Sequence, residues 1–137
     1  MDLLLSFVLA LATVCLTGAL HLALLGNVAR SVMQAERPKW QRFQAILLTA
    51  TVGQTLAALL FALAFAFFLQ LGFGHFREMA DPGFGELFTF SMVNLTTLGL
   101  GDMIPLGPLK FLAGIEAMTG FLLISCSASH VFQVMRP

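Results

Sequence analysis

The stretch Thr96-Thr97-Leu98-Gly99-Leu100-Gly101-Asp102, closed by Met103-Ile104-Pro105, decides how this chain is read. The residues before it, 85–96, have few helix breakers and an apolar, amphipathic character. They predict a short helix of about three turns, with Glu86 favourably placed at its positive N-terminal end. Such a helix is too short to cross ~30 Å of hydrocarbon. A short apolar helix followed by glycine-rich, non-helical chain is expensive in lipid unless its backbone groups are buried in protein or line a water-filled passage. The alternation Thr97-Leu98-Gly99-Leu100-Gly101 suggests why glycine is needed, since glycine accepts backbone angles that other residues resist. Alternating such residues can turn successive carbonyls to one side. Four copies about an axis would then stack rings of oxygens that replace the hydration shell of a cation.

The flanks of this stretch are membrane-like. A spanning helix needs ~20 mostly apolar residues. Residues 3–25 and 43–71 qualify without a single charge, and 109–134 qualify with Lys110 at its start and one charge deeper in, Glu116. Hydrophobic residues make up 58% of the chain and charged residues 10%, against about 25% charged in a typical globular chain. A mean hydropathy of +0.91 agrees, so a soluble domain is excluded. The 137 residues suffice for one domain. The first apolar run follows an acidic start, Met1-Asp2, and is too long for a signal peptide, so it is read as a retained helix.

Composition also narrows function. Seven basic and seven acidic residues balance to zero, which leaves no basic surface for nucleic acid. Cys15 and Cys126 both lie in apolar runs and form neither a disulfide framework nor a metal motif. No paired carboxylates, HExxH or Ser–His arrangement converges in the spans, so no enzyme and no cofactor is expected.

Topology follows from the basic residues. Arg30, Arg37, Lys39 and Arg42, against Glu36, cluster in residues 27–42, and Arg136 lies at the far end of the third span. The positive-inside rule puts both places in the cytoplasm. The opposite side holds Asp2, Glu78, Asp81, Glu86 and Asp102 against Arg77 and Lys110. It is net negative, which suits a protein that collects cations. The expectation is a multi-pass protein of the plasma (inner) membrane, N-terminus outside and C-terminus cytoplasmic. Pro38 and Trp40 mark the start of the second helix, whose length implies tilt or a first turn in the headgroups. Gln44, Thr49, Thr51, Gln54 and Thr55 in its cytoplasmic half suggest helix–helix hydrogen bonding.

With short helix, Thr96-Thr97-Leu98-Gly99-Leu100-Gly101-Asp102 and Pro105 in place, the segment 43–134 resembles the pore domain of potassium channels. The resemblance implies an all-α membrane protein: an extra N-terminal helix (1–26), a cytoplasmic basic loop (27–42), an outer helix (43–71), an outer turret (72–84), a pore helix (85–96), a filter (97–101) and an inner helix (109–134). It implies that the carbonyls of Thr97, Leu98, Gly99 and Leu100, with the Thr97 hydroxyl, bind dehydrated K⁺, the permeant ligand. Gly101 would shape the outer mouth, and Asp102 would brace the filter by hydrogen bonding to the pore helix. One chain supplies one filter strand, so the assembly implied is a homotetramer in lipid. The commonest filter of the family has Tyr where this chain has Leu100, as some two-pore-domain channels do. Thr89 and Phe90 stand where two Trp residues often stand, and Asn94 replaces the first Thr of the longer signature. A filter built this way is held more by packing and less by hydrogen bonds.

Further residues bear on this reading. Glu116 is the one acidic residue within a span, where a charge costs at least ~2.5 kcal/mol. Its depth places it behind the filter, beside Asn94, Thr96 and neighbouring backbone, as filter support together with Asp102 and Thr96. Gly114 and Gly120 interrupt the inner helix as a gating hinge or as close packing points. Ser125, Ser127, Ala128 and Ser129 make the inner helix's lower half small and mildly polar, which suits a water-lined cavity or packing. Of His21, His75 and His130, His130 is placed best for pH sensing, although a lone interfacial His is more often inert. The first helix lacks the repeated Arg of a voltage sensor and is expected to be peripheral and structural. The function expected is a potassium-selective channel subunit. The alternatives are a weakly selective cation channel and a non-conducting scaffold or accessory subunit with a pore-like fold.

Overall fold

The computed structural model describes residues 2–35, 38–77, 79, 81–99 and 102–135. Glu36, Arg37, Glu78, Leu100, Gly101 and Arg136, which the topology and filter expectations use, lie outside the described residues. In chain order the elements are α1 (Asp2–Gln34), α2 (Lys39–Gln70), β1 (His75–Phe76), α3 (Phe84–Leu95), β2 (Pro105–Leu106) and α4 (Pro108–Met135). Helices α1, α2 and α4 are long and apolar enough to cross a membrane, and the short α3 hangs between the last two. This is the all-α membrane architecture expected.

The helix ends differ from expectation at one place. The stretch 27–42 is not a loop: α1 runs on to Gln34 and α2 begins at Lys39. Its charges do not break a helix. The Arg30 guanidinium donates to Asn27 Oδ1 at 2.7 Å and to the Gly26 carbonyl at 3.2 Å on its own helix. Meanwhile Ala29 and Val32 are buried with Leu25 against Ile46, Ala50 and Val134. Pro38 precedes α2, and its fixed φ of −60° suits a helix start. Elsewhere, α3 and α4 lie within one residue of the expected limits.

Helix α2 is the centre of the packing. Ala57, Ala58, Phe61, Ala62, Phe65 and Phe68 are buried along it, against Ala10 of α1, Leu87 and Leu95 of α3, and Leu109 and Leu112 of α4. In lipid, close packing rather than the hydrophobic effect holds helices together, and small residues let backbones approach. Ala50, Gly53 and Ala57 supply that stripe on α2. The threonines of α2 do not bridge helices as expected. Thr49, Thr51 and Thr55 donate back to the carbonyls of Ala45, Leu47 and Thr51 at 2.7–3.0 Å, the local acceptors four residues earlier that a helical Thr reaches most easily.

The start of α1 lies at the same end of the bundle as the start of α4. The Phe7 ring lies 6.0 Å from that of Phe111, near the start of α4. At that end β1 and β2 pair antiparallel, His75 opposite Leu106 and Phe76 opposite Pro105, and the Arg77 amide donates to the Ile104 carbonyl at 2.9 Å. This strap ties the segment before α3 to the segment after the glycine motif. Gly74 makes it possible: its φ is +104°, and a Cβ there would lie 2.5 Å from the Leu106 carbonyl oxygen.

Candidate functional site

Helix α3 is anchored on three sides. At its start the Gly83 carbonyl accepts from the amides of Glu86 and Leu87, and Glu86 Oε2 accepts from the Gly83 amide at 2.7 Å. On its flank Phe90 makes edge contacts with Phe65 and Phe76, ring centroids 5.2 Å away in both. On its buried face, Ser91 donates to the Ala58 carbonyl of α2 at 2.7 Å and is hydrogen-bonded to Glu116 Oε1 of α4. One turn later the Asn94 amide donates to Glu116 Oε2 at 2.6 Å and to the Ala113 carbonyl at 2.8 Å. Glu116 is fully buried, and both of its oxygens have partners, as a buried polar group requires.

The chain leaves α3 through a tight end. The Thr97 amide donates to the Asn94 carbonyl at 3.0 Å and the Leu98 amide to that of Val93 at 3.2 Å. Then the backbone alternates. Thr97 has φ +58°, Leu98 does not have a positive φ, and Gly99 has φ +62°. A β-branched residue in the left-handed region is a genuine outlier, so Thr97 is held there by its surroundings. Thr97, Leu98 and Gly99 are all exposed in the single chain. Opposite the end of α3, Gly120 lies so close that a Cβ on it would fall 1.8 Å from the Leu95 carbonyl oxygen.

A family model described as "Ion channel" matches residues 54–136. The chain belongs to this ion channel family. The expected kinship with potassium channel pore domains holds as well. Over 75 residues the chain is 40% identical to the inward rectifier potassium channel Kirbac3.1 of Paramagnetospirillum magnetotacticum, covering 53% of this chain and 24% of that protein. The chain therefore spans about a quarter of the length of that curated relative. No solved structure matches it. The family match begins within α2 and leaves α1 outside.

In this channel chain most of the expected site residues fall around α3. Glu116 meets Asn94 as expected, but its second side-chain partner is Ser91, not Thr96. The Thr96 hydroxyl donates to the carbonyls of Met92 and Val93 at 3.0 and 3.1 Å and closes its own helix end. Ser91 passed as one more small residue in the sequence; its place three residues before Asn94, on the same helix face, was the available signal. Asp102 is exposed beside a cavity shared with Glu86, Thr89, Phe90 and Val93, and among the described residues no hydrogen bond joins it to α3. The Thr89 hydroxyl donates to the Gly85 carbonyl of its own helix. Behind Gly99 a cavity of about 260 Å³ is lined by Phe90, Val93, Asn94, Met103, Pro105 and Ala113, among others.

The two inner-helix glycines part company. Gly120 is a close packing point, whereas a Cβ on Gly114 would meet nothing within 4 Å. Of the small polar residues, Ser127 is buried and Ser125 and Ser129 are exposed. His130 Nδ1 sits 3.0 Å from the Cys126 carbonyl of its own helix. The buried histidine is His21, which sequence reasoning did not single out.

Proposed function

We propose that this ion channel chain is a subunit of a homotetrameric, potassium-selective channel that conducts K⁺ passively through rings of backbone carbonyls. The observation that carries the reading is the alternation after α3: left-handed backbone at Thr97 and Gly99 with Leu98 between. Alternating the two hands along a strand turns successive carbonyls toward one side, which is what a carbonyl cage needs. Thr97 to Leu100 supply the K⁺ ligands, Gly101 shapes the mouth, and Glu116, Asp102 and Thr96 support the strand.

Exposure argues for assembly. Non-helical backbone at membrane depth has to be buried in protein or face water, and residues 97–99 are exposed in the single chain. Four copies around an axis meet that need. The C-terminal ends of four α3 helices would direct partial negative charge below the filter, where a cation waits before it sheds its water. The protein resides in the plasma membrane, with the start of α1 and the strap outside and the α1–α2 turn in the cytoplasm. It carries out no chemistry on its ligand.

A weakly selective cation channel is the second reading. It is favoured by the sparse hydrogen bonding between α3 and the strand, where Phe90 contributes packing alone. Ion flux from vesicles containing the purified chain separates the readings. A potassium-selective channel passes K⁺ in preference to Na⁺, a loose one passes both, and a scaffold passes neither. Native mass measurement that returned only monomers or dimers would overturn the tetramer.

A further inference from the structure

Helix α1 lies outside the family match, yet it reaches the inner helix at two heights. Near its start Phe7 touches Phe111. Near its middle His21 Nε2 lies 3.0 Å from Ser127 Oγ of α4, a contact across 106 positions in the chain. His21 is 1% exposed and Ser127 7%, so the pair is sealed from lipid.

The contact exists because α2 is thin where it passes between them. Gly53 faces the imidazole, and a Cβ on Gly53 would lie 2.7 Å from His21 Nδ1. Alanine there would push the ring away. The direction of the hydrogen bond follows by counting hydrogens. The Ser127 hydroxyl donates its one hydrogen to the Leu123 carbonyl at 2.8 Å, so Ser127 Oγ accepts from His21 Nε2–H. His21 Nδ1 faces the Gly53 gap, and no side chain reaches it there. A buried imidazole whose side-chain hydrogen bond crosses to α4 fixes where the two helices meet.

The height of the bond matters. Helix α4 is fixed to α3 at Glu116 and at Gly120. Two turns beyond Gly120, at Ser127, its polar holder is α1. Further on, Val134 packs with Leu25 and Ala29 of the same helix. The lower half of α4 is thus seated against α1 and α2 together, and apolar packing alone distinguishes poorly between neighbouring registers in lipid, whereas a buried hydrogen bond selects one.

We infer that His21 is a positioning residue, a clamp through which α1 holds the lower half of the inner helix in the conformation seen here and so sets the balance between open and closed channels. This rests on the channel reading above. The coupled pair is His21 and Ser127, and Gly53 is the slot that admits it.

Single-channel recording of the reconstituted full chain tests it, with His21→Leu, Ser127→Ala and the double variant. Each single change should shift open probability in the same direction, by roughly threefold to tenfold for the loss of one interhelical hydrogen bond. The double variant should shift it no further than the larger single one, because both remove the same bond. Unit conductance and the K⁺/Na⁺ preference should stay as in the parent. His21→Gln, which keeps a donor of similar reach, should return part of the shift. Ser127→Ala removes few atoms and carries the prediction alone if His21→Leu fails to fold. Open probabilities equal to the parent's in Ser127→Ala, or shifts that simply add in the double variant, overturn the clamp and leave the channel reading standing. A parent chain that passes no ions overturns the channel reading, and the clamp falls with it.

Discussion

Asn94 reaches Glu116 Oε2 at 2.6 Å while its second amide hydrogen goes to the Ala113 carbonyl at 2.8 Å, so one side chain of α3 spans a full turn of α4. With Ser91 bonded to the other oxygen of Glu116 and to the Ala58 carbonyl, the helix before the glycine motif is locked to both long helices around it. A lock of this kind sits behind the strand and away from its exposed carbonyls. Glu116→Gln keeps the shape and offers both an acceptor to Asn94 and a donor to Ser91, so thermal stability in detergent should stay close to the parent's. Glu116→Ala takes one of two partners from both Ser91 and Asn94, at ~1–3 kcal/mol, and should lower it clearly. Inactivation should change more than unit conductance in both. A conductance that falls steeply in Glu116→Gln, and recovers when an acid is placed on a neighbouring pore-facing position, would put the carboxyl in the conduction path instead.

Gly120 and Gly114 make a matched pair for thermal unfolding. Gly120→Ala drives a methyl group into the Leu95 carbonyl. Backbone cannot rotate away as a side chain can, so α4 must separate from α3, and overpacking of this kind costs typically ~1–3 kcal/mol or more. Gly114→Ala meets open space and gains ~1 kcal/mol of helix propensity. The melting temperature should fall in the first and hold or rise in the second. Equal effects would show that the close approach at Gly120 is not what fixes α4.

Local features were legible in the sequence and distant ones were not. The three spans announce themselves because ~20 apolar residues in a row have few other uses. The motif from Thr96 to Asp102 is contiguous, so its spacing survives without any knowledge of the fold. Glu116 stood out because a charge in a span is costly, and its partner Asn94 followed from depth alone. Ser91 did not, since a serine in an apolar helix is unremarkable until its neighbours are known. The strap of β1 and β2 is too short for any alternation to register, and His21–Ser127 depends on a gap at Gly53 in a third helix. The run from 27 to 34 hides its helix for a different reason: clustered charge marks the membrane surface, but it does not end a helix that still has Ala29 and Val32 to bury.

Orientation can be read chemically. Leu4 is 70% exposed near the start of α1, at the end of the bundle that carries the strap, and Trp40 is exposed at the opposite end. In a background with Cys15 and Cys126 replaced, Leu4→Cys should react with an impermeant thiol reagent on intact cells. Trp40→Cys should react only after permeabilisation. The reverse pattern would turn the whole assignment of sides over, because the basic cluster and the strap exchange places together.

The strand itself gives the sharpest test, because space and conformation can be separated at Gly99. A Cβ on Gly99 meets nothing within 4 Å in the single chain, yet φ is +62°, where an L-residue with a Cβ loses roughly 1–2 kcal/mol. Gly99→Ala should therefore damage the filter through its backbone angles, and four strands around one axis would each carry that cost. Its expected outcome is loss of the K⁺/Na⁺ preference, and of most flux, with the helices intact by circular dichroism. Thr97→Ala should be milder. It removes the hydroxyls at the innermost site but leaves every carbonyl, and it exchanges a β-branched residue at φ +58° for one less restricted there. K⁺ affinity should drop while K⁺ stays preferred over Na⁺. Flux and preference unchanged in Gly99→Ala would mean that the strand 97–101 does not line the conduction path, whatever its resemblance to one that does.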